Sequence, residues 1–294
     1  ETDPRVPPGL KIDPDDPVGV TRNLKKAATF FGAALVGVCR LDRRWVYSSV
    51  YPKREQKSMP NALSEEYQYA VALAIEMDYA AIGCSPASPS SAATGLGYSK
   101  MAFIAGLLAH YIRGLGYNAI ACGNDTACSI PIAIDAGLGE LARNGLLITP
   151  AFGPRVRLAK VFTDLPLIAD KPVEFGVWDF CMMCEKCAKK CPSQSIMYGK
   201  PTEKPNNISN REGVLRWPIN AETCLGFWAA NGTDCSNCIR TCPFNKPTGR
   251  LHDSVRWGIK NLSFLNPLFL WGDDLLGYGR RGKADKFWKE KHHV

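Results

Sequence analysis

Apolar positions in the first half of the chain switch repeatedly between helical and strand spacing. From Val20, the stretch Thr21-Arg-Asn-Leu24-Lys-Lys-Ala27-Ala-Thr-Phe30-Phe31 places its apolar residues three or four apart and predicts an amphipathic helix, which Gly32 stops. The largely apolar runs Ala34–Cys39 and Tyr69–Met77 predict two buried strands, separated by a charged, irregular stretch with Pro52 and Pro60. Residues Gly83–Gly97 are small and rich in Ser and Pro, which reads as a loop. A helix is expected from Tyr98 to Leu115, through Met101, Ile104, Ala105, Leu108 and Ile112, with Gly116 as its stop. Asn118–Cys122, Gly145–Thr149 and Val156–Phe162 read as strands, and Ile130–Gly137 as a helix.

Helices and strands mingle, so the fold class is α+β, or mixed α/β. The organisation expected is a Pro- and Asp-rich extended arm at 1–18, a core domain at 19–172, a cysteine-rich domain at 173–247 and a tail at 248–294. The tail's Trp257, Phe264, Leu268, Phe269, Leu270 and Trp271 are expected to pack back on the body.

Composition changes this picture little. Of the 294 residues, 46% are hydrophobic and 22% charged, which suits a folded chain with a full core. The net charge of +8 is mild for this length and favours a solvated surface over an acidic partner or a membrane surface. No run of eighteen apolar residues marks a membrane span, and no secretory n-region and h-region opens the chain. The opening Glu1-Thr-Asp-Pro reads as a processed or trimmed start.

The cysteines change it a great deal. Cys181-Met-Met-Cys184-Glu-Lys-Cys187-Ala-Lys-Lys-Cys191-Pro192 is C-x2-C-x2-C-x3-C-P, the spacing of bacterial ferredoxins with two [4Fe–4S] clusters. Cys224, ten residues, then Cys235-Ser-Asn-Cys238-Ile-Arg-Thr-Cys242-Pro243 is the same motif with its first spacer stretched. In such runs the last cysteine ligates the other cluster. Cys181, Cys184, Cys187 and Cys242 are therefore assigned to one cluster, and Cys224, Cys235, Cys238 and Cys191 to the other. Two four-cysteine zinc sites are the rival reading, disfavoured because zinc ribbons pair C-x2-C with a distant C-x2-C. Cys39, Cys84, Cys122 and Cys128 read as core residues.

An electron relay beside a large domain points to a redox enzyme with a further cofactor. No G-x-G-x-x-G follows a strand and there is no P-loop. Only His110, His252, His292 and His293 could ligate a haem or a cobalamin, and none lies in a ligand-like pattern.

At this point a resemblance becomes specific. Gly97-Tyr98-Ser99, Cys122-Gly-Asn-Asp125, Ala136-Gly-Leu-Gly-Glu140, Asn144-Gly-Leu-Leu-Ile-Thr149, Phe152-Gly-Pro-Arg155-Val-Arg157, both cysteine runs and above all Asn231–Lys246 resemble the cobalamin-dependent reductive dehalogenases of organohalide-respiring bacteria. The resemblance covers roughly residues 20–272. Those enzymes are usually longer, with a twin-arginine export signal and an N-terminal region that this sequence does not show.

The resemblance implies a nitroreductase-like core holding a base-off cobalamin (a corrinoid without a protein ligand on cobalt), joined to a ferredoxin-like domain with two clusters. Electrons would pass from a distal to a proximal cluster and then to cobalt. The reaction would replace halogen by hydrogen in a small organohalide, using two electrons and one proton. Tyr98 matches the family's proton donor, Arg157 the arginine that stabilises its phenolate, and Asn124 the residue orienting substrate and donor. Thr94 and Trp228 would line an apolar pocket suited to a halocarbon. Gly137, Gly139, Asn144, Gly145 and Leu146 are the candidate corrinoid contacts, their glycines letting backbone approach the macrocycle. Their other reading is an ordinary helix stop and strand start.

The resemblance also implies an upstream electron donor, with a small membrane-anchor protein and a second copy of the chain as further partners, and no nucleic acid. It implies a peripheral location on the outer face of the cytoplasmic membrane. The alternative function is that of epoxyqueuosine reductase, a tRNA-modifying relative with the same cofactors. The ten-residue spacer containing Trp228, and a tyrosine rather than a carboxylate at position 98, argue against it. A simple ferredoxin leaves some 170 residues before the clusters unexplained.

Overall fold

The computed structural model describes residues 11–12, 15–52, 55–247 and 249–289. Most of the expected arm at 1–18, together with His292 and His293, lies outside them. The helices, in chain order, are α1 (Pro17–Phe30), α2 (Tyr79–Gly83), α3 (Ser88–Gly114), α4 (Ser129–Asp135), α5 (Val177–Met183), α6 (Lys186–Lys189), α7 (Ala221–Asn231), α8 (Asn237–Arg240), α9 (Arg250–Asn261), α10 (Asn266–Leu275) and α11 (Ala284–Phe287). The strands are β1 (Leu35–Arg40), β2 (Ser49–Val50), β3 (Met59–Pro60), β4 (Tyr69–Glu76), β5 (Ala119–Cys122), β6 (Glu140–Leu141), β7 (Leu147–Ile148) and β8 (Val156–Thr163). The class is mixed α/β.

Two compact units draw on non-contiguous stretches, from both sides of the expected boundary at 172/173. The first comprises Glu1–Glu76, Gly97–Leu138 and Arg157–Val173, the second Met77–Leu96, Gly139–Val156 and Glu174–Val294.

In the first unit, a four-stranded sheet runs in the order β1-β4-β8-β5. β1 pairs antiparallel with β4 from Leu35↔Ala74 to Arg40↔Tyr69, and β5 pairs antiparallel with β8 from Ala119↔Thr163 to Cys122↔Lys160. The middle of β4 is buried at six successive positions, so both of its faces are covered; that explains its continuous apolar run. α1 starts where Asp16 accepts a hydrogen bond from Gly19 N at 2.9 Å, with Pro17 at a position that needs no amide. It buries Leu24 and Ala28 in a core shared with Val38, Val71, Leu73, Val161 and the α3 residues Met101, Ile104, Leu108 and Ile112.

α3 corrects one expectation. It has 27 residues and begins at Ser88, so most of the stretch expected as a loop is helical, and Tyr98 lies within the helix rather than at its start. The physical reason is burial. Pro89 sits in the first turn, where a missing amide costs nothing, and Ser90 and Thr94 are 0% and 5% exposed. Small residues occupy a covered face there, and packing overrides their weak helix propensity. α3 is also long and apolar enough to cross a membrane, but 44% of its most apolar window is buried inside the protein.

The second unit contains α2, the start of α3, the β6–β7 hairpin and the cysteine-bearing segment with its short helices. Met77, Ala81, Ile82, Ala93 and Ile239 form one of its apolar clusters. The tail forms α9, α10 and α11, and its apolar residues divide. Ile259 is buried, the Phe269 ring packs against Gly258, and Leu268 and Phe269 line a cavity with Phe180 and Phe244, whereas Trp257, Phe264 and Trp271 are exposed.

Candidate functional site

The cysteine quartets lie wholly in the second unit. α5 ends with Cys181 in its last turn and hands over to extended backbone at Cys184, its C-terminal cap. α6 carries Cys187, α7 carries Cys224 and α8 carries Cys238. Cys181, Cys184, Cys187 and Cys242 line one cavity together with Phe180, Phe244 and the hairpin residues Ala142, Arg143 and Asn144. All four are less than a tenth exposed.

Electrostatic neighbours sort the thiols further. Cys242 feels the charge of Cys181 and Cys184, and Cys238 that of Cys235, Cys224 and Cys191, while Cys187 feels both Cys242 and Cys238. The last cysteine of each run therefore stands with the other run. Burial, and then the neighbouring thiolates, push Cys238 up to about 12 and raise Cys187 further. Burial also pushes Cys181 up to about 12, against the opposing effect of Arg143. Protonated thiols must lose their protons to bind metal, so loading the quartets releases acid.

The quartets fit clusters better than zinc. Among the described residues no three such side chains stand close enough to hold one metal ion. A zinc ion would draw four sulfurs to about 2.3 Å from a single centre. A cluster takes one thiolate per iron, so its ligands stand around a cavity as these four do.

In the first unit, the structure brings Tyr98 and Arg157 together. The guanidinium carbon of Arg157, the second residue of β8, lies 4.7 Å from the centroid of the Tyr98 ring. Tyr98 is 40% exposed, so its ring is open to a reactant. Asn124 follows β5, and its Oδ1 accepts a hydrogen bond from Ser129 Oγ at 3.2 Å. Ser129 Oγ in turn accepts from Lys160 Nζ at 3.1 Å, and Lys160 also donates to the Gly123 carbonyl. Lys160 thus pins the turn that carries Asn124 from two sides. It is 1% exposed, and burial holds its ammonium below the usual lysine range. Sequence reasoning passed over it; the signal available was a lysine inside an apolar strand run. In the second unit, Thr94 is buried and Trp228 is 36% exposed on α7.

The expected corrinoid contacts have reasons within the chain itself. A Cβ at Gly137 (φ +73°) would lie 2.5 Å from the Lys171 carbonyl oxygen, one at Gly139 2.0 Å from that of Ile148, and one at Gly145 (φ +70°) 2.7 Å from Ile219 Cγ1. Asn144 turns the hairpin, its Oδ1 accepting from Leu146 N at 3.2 Å and its Nδ2 donating to Cys238 O at 3.4 Å. Leu146 packs on the cluster of Met77, Ala81 and Ile82. Close packing of the chain on itself demands these glycines, so they do not by themselves mark a cradle for a macrocycle.

Arg143 was also missed. It is fully buried in the β6–β7 turn, and its guanidinium donates to the backbone carbonyls of Cys181, Cys184, Met197 and Gly199. An arginine beside an Asn-Gly turn reads as a surface residue; only the cysteine segment folding over it makes it otherwise.

Comparison with known proteins agrees with this chemistry. Residues 180–245 match the family described as a 4Fe-4S double cluster binding domain. A tetrachloroethene reductive dehalogenase of Sulfurospirillum multivorans is 39% identical over 95% of this chain and 61% of its own length. One from Desulfitobacterium hafniense is 41% identical over 79% of this chain and 49% of its own. The chain thus spans 49–61% of the length of these relatives. The solved catabolic reductive dehalogenase NpRdhA superposes with a TM-score of 0.82 at 27% identity, over 92% of this chain and 38% of that one. Epoxyqueuosine reductase from Streptococcus thermophilus shares the fold more loosely, with a TM-score of 0.53 at 17% identity. By these likenesses the chain is a homologue of reductive dehalogenases that carries a double [4Fe–4S]-cluster domain and spans part of its relatives' length.

Proposed function

We propose that this chain is the catalytic part of an enzyme that reductively removes halogen from a small organohalide. The overall change is R–X + 2 e⁻ + H⁺ → R–H + X⁻, with the electrons arriving from an upstream donor through the two cysteine-held clusters. The observation that carries the reading is the Arg157 guanidinium set 4.7 Å from the exposed Tyr98 ring. A tyrosine is a reluctant acid, with an ordinary value of about 10, unless a cation favours its phenolate. Arg157 is that cation: it stabilises the negative charge that develops as the phenol gives its proton to the carbon losing halide. Asn124, held through Ser129, orients the reactant beside the ring.

One solved relative is described as B12-dependent, and a base-off cobalamin, when bound, would supply the reducing metal at the carbon–halogen bond. A nitroreductase-like core and a peripheral site on the outer face of the cytoplasmic membrane belong to the same reading. So do Thr94 and Trp228 as pocket residues, and a membrane anchor and a second copy as partners.

The test is anaerobic halide release from chlorinated alkenes and brominated phenols. Reduced viologen would be the donor, and parent would be compared with Tyr98→Phe at matched iron and cobalt content. Release by the parent that collapses in the variant is expected. Undiminished release in Tyr98→Phe would remove the tyrosine from the mechanism, and no release from fully loaded parent would overturn the reading.

A further inference from the structure

Arg143 poses an electrostatic question that the proposed reaction does not answer. Its side chain is 0% exposed. Nε donates to Cys181 O at 3.2 Å and Cys184 O at 3.0 Å, Nη2 to Cys181 O at 2.7 Å, and Nη1 to Met197 O and Gly199 O at 2.9 Å each. The guanidinium carbon lies 4.7 Å from the centroid of the Trp217 ring, whose Nε1 donates to the same Gly199 oxygen at 2.8 Å. The partners of the fork are neutral carbonyls and an aromatic face. A guanidinium keeps its proton in any folded protein, so this is a permanent positive charge in the interior.

Buried charges are normally paired. Glu140, at the start of the same hairpin, spends its Oε1 on the amides of Phe175 and Val177. Asp273 is bonded to both Lys186 and Lys246. The described residues therefore form no ion pair with Arg143.

Next to it, however, is a site made for negative charge. Arg143 and Cys181, Cys184, Cys187 and Cys242 line the same cavity. A cluster bound by four thiolates is an anion, and it gains another negative charge when reduced. Burial disfavours that gain, whereas a nearby fixed cation favours it. We propose that Arg143 is the buried counter-charge of the cluster held by Cys181, Cys184, Cys187 and Cys242, and raises that cluster's reduction potential. The proposal rests on the two-cluster reading alone and is independent of the organohalide. It makes Arg143 a positioning and tuning residue: it holds the Cys181–Cys184 loop by its carbonyls and makes one of two clusters easier to reduce.

The experiment compares iron-loaded parent, Arg143→Gln and Arg143→Lys in the full chain. Iron would be counted per chain, and each cluster's midpoint read by redox titration followed by electron paramagnetic resonance. Gln can still donate to a carbonyl but carries no charge; Lys keeps the charge and gives up the fork. The expected result is full iron in all three, with one cluster of the Gln variant harder to reduce. At the parent's midpoint its reduced-to-oxidised ratio should fall at least about tenfold, about 59 mV for a one-electron couple. The Lys variant should stay near the parent, and the second cluster should not move in either.

Unchanged midpoints in the Gln variant would overturn the proposal, as would a Lys variant displaced as far as Gln. Loss of iron from both variants would also overturn it, reducing Arg143 to a structural clamp. Failure of the two-cluster reading would look different: the parent itself would hold too little iron and show only one signal.

Discussion

Replacing Arg157 by methionine keeps much of the side chain's bulk and deletes its charge, so the change isolates what the cation does for Tyr98. The charge sits 4.7 Å from the ring centroid. With that separation and an effective dielectric constant of about 20, attraction to a full phenolate charge is about 3.5 kcal/mol. Tyr98 is 40% exposed, and water screens the pair, so a dielectric constant of about 40 and an energy of about 1.8 kcal/mol describe it better. If proton transfer limits turnover, that energy is worth about twentyfold in rate, with about 400-fold as the ceiling for an unscreened pair. Arg157→Lys keeps the charge and should lose much less. The assay is halide release under saturating reduced viologen, with iron and cobalt content matched across variants and the rate followed from about pH 6 to about pH 9. A methionine variant at the parental rate would refute the role of Arg157. So would lysine and methionine variants that fall equally, because charge would then not be the operative property.

Three further outcomes follow from the same geometry. Gly139→Ala should destabilise the chain by about 1–3 kcal/mol in chemical unfolding even without any corrinoid, because the new Cβ meets the Ile148 carbonyl oxygen at 2.0 Å; loss of corrinoid binding alone, with stability unchanged, would restore the cradle reading. Cys39 is raised from an ordinary 9.0 to about 12, first by burial and then by the carboxylates of Asp135 and Asp170. The folded state thus keeps a proton that the unfolded state loses, and the stabilisation, full below pH 9, is lost as pH rises towards 12. Between about pH 8 and about pH 10 the parent should lose about 1.4 kcal/mol more than Cys39→Ala, and parallel profiles would exclude the effect. Finally, Cys242→Ser should weaken the same paramagnetic signal as Cys187→Ser, and Cys191→Ser the same signal as Cys235→Ser. Pairing by run instead would contradict the crossed neighbours of Cys242 and Cys238.

What the sequence determined by itself was whatever depends on local order. The apolar run marked β4 because a strand covered on both faces is apolar along its middle. The cysteine spacings named the cluster chemistry, since one short turn must present several thiolates to one centre. Long-range questions were beyond it. Whether Ser88–Leu96 is loop or helix is decided by what covers Ser90 and Thr94, and propensity carries no record of that cover. Gly137, Gly139 and Gly145 are equally compatible with a cofactor or with chain on chain; the carbonyls of Lys171 and Ile148 and the side chain of Ile219 supply the contacts. Arg157 reaches Tyr98 only because β8 and α3 meet in the first unit. Lys160 and Arg143 carry charges that sequence alone places at the surface by default. The folded chain buries both, Arg143 among backbone carbonyls and Lys160 against the Gly123 carbonyl and the Ser129 hydroxyl, and a charge's surroundings decide what it can do.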